Sequence, residues 1–101
     1  MSQALILGLI VNELATNSFK YAFNEKSSGE ISISLQQVNQ NLIVIYCDNG
    51  VGIKNGFDIQ KGGFGFKLIS ILSQQINATI TYEFQNGNSQ FTIQVPNGNV
   101  I

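Results

Sequence analysis

The run Asn12-Glu13-Leu14-Ala15-Thr16-Asn17-Ser18-Phe19-Lys20-Tyr21 sets a carboxylate, an amide and an ammonium at helical spacing. It lies inside an apolar stretch from Ala4 to Phe23 that reads as one long helix. At roughly 100° per residue, Glu13, Asn17 and Lys20 fall at about 0°, 40° and −20°, on a single stripe. Upstream, the same stripe carries Ile10 and Ile6, so the face starts apolar and turns polar halfway along. A purely structural helix keeps its apolar face apolar, or its wet face wet, throughout. The three groups together suit a hydrated divalent metal and phosphates. The plain alternative is the solvated end of a core helix, and this stretch alone does not separate the two.

Two further stretches carry chemistry. Asp48-Asn49-Gly50-Val51-Gly52-Ile53 follows a buried-type strand. A carboxylate there can accept a hydrogen bond from an exocyclic amine such as adenine N6, while Gly50 and Gly52 let a flat ring approach the backbone. Asp-Asn-Gly is equally good chemistry for a type I′ turn. Gly62-Gly63-Phe64-Gly65-Phe66-Lys67 opens a second helix, where free N–H groups favour an anion and Lys67 adds a charge. The spacing is that of neither a P-loop nor a dinucleotide fingerprint. A glycine-rich loop with no ligand is the alternative.

The elements that position these residues read as follows. A helix spans Gln3 to Phe23 with Ser2 as N-cap. Glu30 to Gln37 alternates as a half-buried strand, Val38 to Asn41 turns, and Leu42 to Cys47 is an apolar central strand, the two forming an antiparallel hairpin. Lys54 to Gly63 is a loop. A helix runs from about Gly65 to Gln75 with Phe66, Ile69, Leu72 and Ile76 on one face. Ala78 to Phe84 and Gln90 to Val95 pair as a second hairpin through Asn86-Gly87. The expected fold is α+β: a two-layer sandwich, antiparallel-rich, with its helices on one face of the sheet.

Composition narrows the function classes. The 101 residues suit one domain, 1–101, and a 44% hydrophobic fraction supports a core. Five lysines, no arginine and a net charge of −1 offer no basic patch, which excludes a nucleic-acid partner and an arginine finger. With no histidine, the chain has no His base, His metal ligand or phosphohistidine of its own. Cys47 stands alone and reads as a small buried residue ending a strand. No signal peptide is legible and Leu5 to Val11 is too short to span a membrane, so the expectation is a cytoplasmic chain without direct membrane contact.

Taken together, the three stretches supply the parts needed to hold Mg-ATP, and their order resembles the GHKL ATPases, which include gyrase B, the Hsp-type chaperone, histidine kinases and MutL. Within these the chain is most similar to the catalytic ATP-binding domain of bacterial sensor histidine kinases. Asn12 to Ala22 resembles the N box of the subfamily related to the HWE kinases, with Tyr21 where His is common. Asp48-Asn49-Gly50-Val51-Gly52 matches the G1 box. Gly63-Phe64-Gly65-Phe66 resembles the G2 box, with Phe66 where Leu is usual. Asn88-Ser89-Gln90-Phe91 and Pro96 resemble the closing Gly-Thr-x-Phe-x4-Pro pattern.

The resemblance implies a Bergerat-type fold whose usual first strand and helix precede the N-box helix, so the chain is expected to be a piece of a longer one with apolar surface exposed. It implies ATP and Mg²⁺ as ligands. Asn17 would ligate Mg²⁺, and Glu13 would orient water at the metal or act as base. Lys20 and Lys67 would neutralise phosphate charge, with Tyr21 beside them. Asp48 would read adenine N6, with Gly50, Gly52 and Ile53 beside the ring and Ser89 in its water network. Gly63, Phe64, Gly65 and Phe66 would line the phosphates. Lys54 to Gly62 would form an ATP lid in which Phe57 is the one candidate for a lid aromatic. The implied function is transfer of the γ-phosphoryl to a histidine on a separate dimerisation domain, then to a response regulator, within a homodimeric kinase. An anti-sigma-factor-type serine kinase and a non-catalytic interaction module are the alternatives.

Overall fold

The computed structural model describes residues 2–22, 29–50 and 64–96. The elements in order are α1 (Gln3–Asn17), a π-helical turn (Ser18–Ala22), β1 (Ile31–Val38), β2 (Asn41–Asp48), α2 (Phe64–Gln75), β3 (Thr79–Gln85) and β4 (Asn88–Val95). The four strands form one antiparallel sheet in the order β1-β2-β4-β3. Two hairpins therefore lie side by side, joined through their second strands.

Local chemistry accounts for the boundaries. Ser2 caps α1, its hydroxyl accepting the Leu5 N–H at 3.1 Å. The β3–β4 turn is Asn86-Gly87, with φ of 53° and 78°, the two left-handed residues that a type I′ hairpin requires. The β1–β2 turn is Asn39-Gln40, with Asn39 at φ 57°. α2 ends in a Schellman motif. Asn77 takes φ 54°, the Ala78 N–H reaches Ser73 O at 2.9 Å, and the Asn77 N–H reaches Gln74 O at 3.3 Å.

Alternation along β2 and β4 builds the core. Leu42, Val44 and Tyr46 of β2 and Phe91, Ile93 and Val95 of β4 are buried on one face. Ile6, Leu7, Ile10 and Leu14 of α1, with Ile69 and Leu72 of α2 and Ile76 just after it, close over them, as the helical spacing predicts. Residues paired across the sheet form rows on this inner face. One row is Leu35–Val44–Ile93–Ile80, the next is Ile33–Tyr46–Phe91–Tyr82, and the last is Ile31–Asp48–Ser89–Phe84. The last row differs in kind, because its two central members are polar and yet buried.

Three expectations are corrected. The α-helix does not continue to Phe23. It stops at Asn17 and widens into a π turn, where the chain departs from the 3.6-residue period. β1 has the expected alternation, but only Ile31 is half-buried against the core: Ile33 and Leu35 are 53% and 52% exposed. They face the helix-covered side on an edge strand, outside the cover that α1 and α2 give β2 and β4. Cys47 is half-buried rather than buried, because alternation turns it to the opposite face from Tyr46 and Asp48. Its thiol there donates to Gln90 Oε1 at 3.6 Å.

Candidate functional site

The polar row meets the end of α1 at one point. The buried row of α1 continues at four-residue steps from Ile6 through Ile10 and Leu14 to Ser18, the first residue of the π turn. Ser18 is 3% exposed, and its hydroxyl lies 2.6 Å from the Tyr46 hydroxyl and 2.7 Å from Asp48 Oδ2. Asp48 is 5% exposed, and its second oxygen, Oδ1, accepts the Gly50 N–H at 3.0 Å. Burial raises the Tyr46 phenol above its ordinary value and the nearby Asp48 charge raises it further, while the Ser18 hydrogen bond pulls it down.

The chain leaving β2 is pinned to the chain entering β1. Asn49 Oδ1 accepts the Glu30 N–H at 2.8 Å, and the Asn49 N–H donates to Glu30 O at 3.2 Å. Asp48 thus starts a side-chain-closed turn of the Asx kind. The turn uses one acceptor position on Oδ1 and Ser18 uses one on Oδ2, which leaves the carboxylate further acceptor capacity.

On the other side of Asp48 in its row, Ser89 is 3% exposed and within 3.0 Å of the Tyr82 hydroxyl. Asn17, immediately before Ser18, is half-buried. Its side-chain Nδ2 is buried with no hydrogen-bond partner among the described residues. An orphaned buried amide is costly and fits a ligand group that completes it. Rotating the amide exchanges Nδ2 for Oδ1, so the same position can offer a donor to a phosphate oxygen or a ligand atom to a metal. Among the described residues no group of three or more His, Cys, Asp or Glu could hold a metal ion. The Asn17 side-chain amide is the kind of single ligand that Mg²⁺, which keeps several waters, takes beside phosphates.

The other predicted residues fall as follows. Glu13 is half-buried one turn before Asn17, on the stripe expected. Lys20 is exposed and lies in the π turn that follows α1. Lys67 is exposed in the first turn of α2, and Phe66 packs half-buried against the core. Of Tyr21, Phe64 and Gly65 only the backbone is described: Tyr21 lies in the π turn, and Phe64 and Gly65 open α2. Gly52, Ile53, Gly63 and the lid stretch 54–62, with Phe57, lie outside the described residues.

Sequence reasoning missed Ser18 and Tyr46. Both had a signal. Tyr46 stands two residues before Asp48 in a strand and so shares its face, and Ser18 is the first polar member of an otherwise apolar four-residue row.

Comparison with known proteins agrees with this fold. Residues 2–99 match the family described as "Histidine kinase-, DNA gyrase B-, and HSP90-like ATPase". The chain is 31% identical over 88 residues to the oxygen sensor histidine kinase NreB of Staphylococcus carnosus. The match covers 86% of this chain and 24% of that protein, so the chain spans about a quarter of the length of this curated relative. Among solved structures, the histidine kinase domain of the blue-light activated histidine kinase of Erythrobacter litoralis aligns at TM-score 0.80 and 25% identity, covering 90% of this chain and 46% of that one. The histidine kinase AdeS of Acinetobacter baumannii aligns at TM-score 0.77 and 28% identity, covering 93% and 47%. With a two-layer α+β fold and a match over nearly its whole length, the chain belongs to the histidine kinase-, DNA gyrase B- and HSP90-like (GHKL) ATPase family.

Proposed function

We propose that this chain is the Mg-ATP-binding catalytic part of a two-component sensor histidine kinase of the HWE-related subfamily. The observation that carries the reading is the junction at Asn17-Ser18. Asn17 brings an orphaned buried amide, and the next residue is bonded to the buried carboxylate of Asp48. A group suited to phosphate or metal and a group suited to an exocyclic amine thus belong to one small region.

In this reading Asp48 accepts from the adenine amine, with Gly50, Gly52 and Ile53 beside the ring and Ser89 in the water network around it. Asn17 holds the metal through its side-chain oxygen, and Glu13 orients a water there or takes the proton of the phosphoacceptor. Lys20 and Lys67 screen phosphate charge, and Tyr21, Gly63, Phe64, Gly65 and Phe66 line the phosphate side. Bound Mg²⁺ would supply further charge neutralisation at the phosphates. The 101 residues contain no histidine, so the γ-phosphoryl goes to a histidine on a separate domain. The same reading makes 1–101 one domain of a longer, homodimeric, cytoplasmic kinase whose phosphohistidine passes the group to a response regulator.

The test is a calorimetric titration of the chain with a non-hydrolysable ATP analogue, with and without Mg²⁺. Binding that tightens with Mg²⁺ in the parent, and loses that dependence in Asn17→Ala, is the expected result. Absence of binding by the folded parent would overturn the reading. Incubation with radiolabelled ATP and a histidine-bearing dimerisation domain then tests transfer.

A further inference from the structure

The Ser18 hydroxyl has one proton and two oxygen neighbours, the Tyr46 hydroxyl at 2.6 Å and Asp48 Oδ2 at 2.7 Å. A carboxylate only accepts. If Ser18 gave its proton to Tyr46, lone pairs of Ser18 and Asp48 would face each other at hydrogen-bonding distance in a buried place. The proton therefore goes to Asp48, and Ser18 receives one from Tyr46. The donors run one way, Tyr46 to Ser18 to Asp48, and aligned hydrogen bonds strengthen one another. Tyr46 is 0% exposed, with its ring edge-on to Phe91 at a centroid distance of 6.3 Å, so its hydroxyl has a fixed place. Asp48 is then held from two sides. The π turn grips Oδ2 through Ser18, and the backbone after β2 grips Oδ1 through Gly50.

We propose that Tyr46 and Ser18 are positioning residues for base selection, locking the Asp48 carboxylate in one orientation as an acceptor so that the site takes a 6-amino purine and rejects a 6-oxo purine. The inference rests on the ATP-binding reading above and deepens it. A 6-amino group brings a donor to Asp48. A 6-oxo group brings a second acceptor, and a carboxylate that cannot turn away must repel it. A loosened carboxylate can rotate or admit a bridging water, so losing the Tyr46 hydroxyl lowers discrimination more than it lowers affinity. A residue that merely stabilised the fold would leave the ratio between the two bases unchanged.

The experiment measures dissociation constants for non-hydrolysable ATP and ITP analogues on the parent, Tyr46→Phe, Ser18→Ala and Ser18→Thr. Tyr46→Phe keeps the ring and removes one oxygen. Its preference for ATP over ITP should narrow by about three- to tenfold, the range of one neutral hydrogen bond. Ser18→Ala should narrow it at least as far, and Ser18→Thr, which keeps the hydroxyl, should restore it. Folded Tyr46→Phe and Ser18→Ala proteins with the parent's ratio would overturn the inference while leaving ATP binding intact. A parent that binds neither analogue would overturn both readings. The unaltered protein gives a second measure: the assigned Tyr46 ring signal in NMR should move on addition of the ATP analogue and less with the ITP analogue. Equal or absent movement would overturn the inference even if the variants failed to fold.

Discussion

Asp48→Asn changes one oxygen to an amino group at constant size, in a place where both oxygens are in use. Asp48 Oδ2 accepts from Ser18 at 2.7 Å and Oδ1 accepts from the Gly50 N–H at 3.0 Å. The asparagine has one acceptor atom for these two donors. With its oxygen toward Gly50, its amine faces Ser18, which must then give its proton to Tyr46, so that the Tyr46 proton loses its buried acceptor. With its oxygen toward Ser18, its amine faces the Gly50 N–H, donor against donor. The first arrangement costs less and replaces one charge-assisted bond by a neutral one, a loss of about 1–2 kcal/mol of stability. For a domain of this size that lowers Tm by roughly 5–15 °C. An adenine amine meets a larger change, because the acceptor it needs is weakened or replaced by a donor. Losing a hydrogen bond to a charged group is worth about 1.5–3 kcal/mol, or about 10- to 150-fold in Kd. Calorimetric titration with an ATP analogue, run well below the Tm of the variant, reads the second effect, and thermal unfolding followed by circular dichroism reads the first. A variant with lowered Tm and the parent's affinity would show Asp48 to be structural only, and the assigned base-reading role would be wrong.

Three other measurements probe the frame around the site. Ile10→Ala empties a fully buried position in α1 and should cost about 2–5 kcal/mol in denaturant unfolding; a cost below about 1 kcal/mol would mean that α1 is not packed as described. Gly87→Val forces a β-branched residue to φ 78° and should destabilise the β3–β4 hairpin by about 1–3 kcal/mol, although no atom lies within 4 Å of the added Cβ. The raised Tyr46 phenol sets a pH dependence with a definite sign. Below the ordinary tyrosine value of about 10, both folded and unfolded chains keep the proton and stability is unaffected. Above it the unfolded chain gives up its proton while the folded chain holds it, so stability falls as pH rises through the raised value. Unfolding midpoints of the parent and Tyr46→Phe, compared from neutral pH to above pH 10, should show the steeper alkaline loss in the parent; parallel curves would contradict the burial of the phenol.

Much of this was legible in the residues. The strands and second helix were carried by clean periods, and Asn86-Gly87 announced its turn because only residues that tolerate left-handed backbone fit there. The assignment of Asp48 to a buried strand end followed from the apolar run before it. The π turn was not legible: the 3.6-residue period gives no warning of the point where a helix widens, and so one helix was expected through Phe23. The exposure of Ile33 and Leu35 was also hidden, because alternation tells which face a residue takes and not whether anything covers it. Ser18 escaped notice because its role depends on Tyr46 and Asp48, 28 and 30 residues away in the chain. No local pattern encodes that meeting.

The sheet order has a consequence for how the site comes into being. Each hairpin closes through a two-residue turn, so β1–β2 and β3–β4 are contacts between near neighbours in sequence. The β2–β4 pairing is different: it joins Asp48 to Ser89 across the intervening chain, α2 included. Closing that long loop carries the larger entropic cost, and non-local pairing of this kind slows folding. The row that holds Asp48 and Ser89 therefore exists only after the most distant of the sheet's pairings has formed. A ligand spanning the two residues binds no earlier species, so its free energy favours the state in which that seam is formed over every state in which it is open. Amide hydrogen exchange with and without an ATP analogue would register this as protection gained along β2 and β4 ahead of the β1 edge.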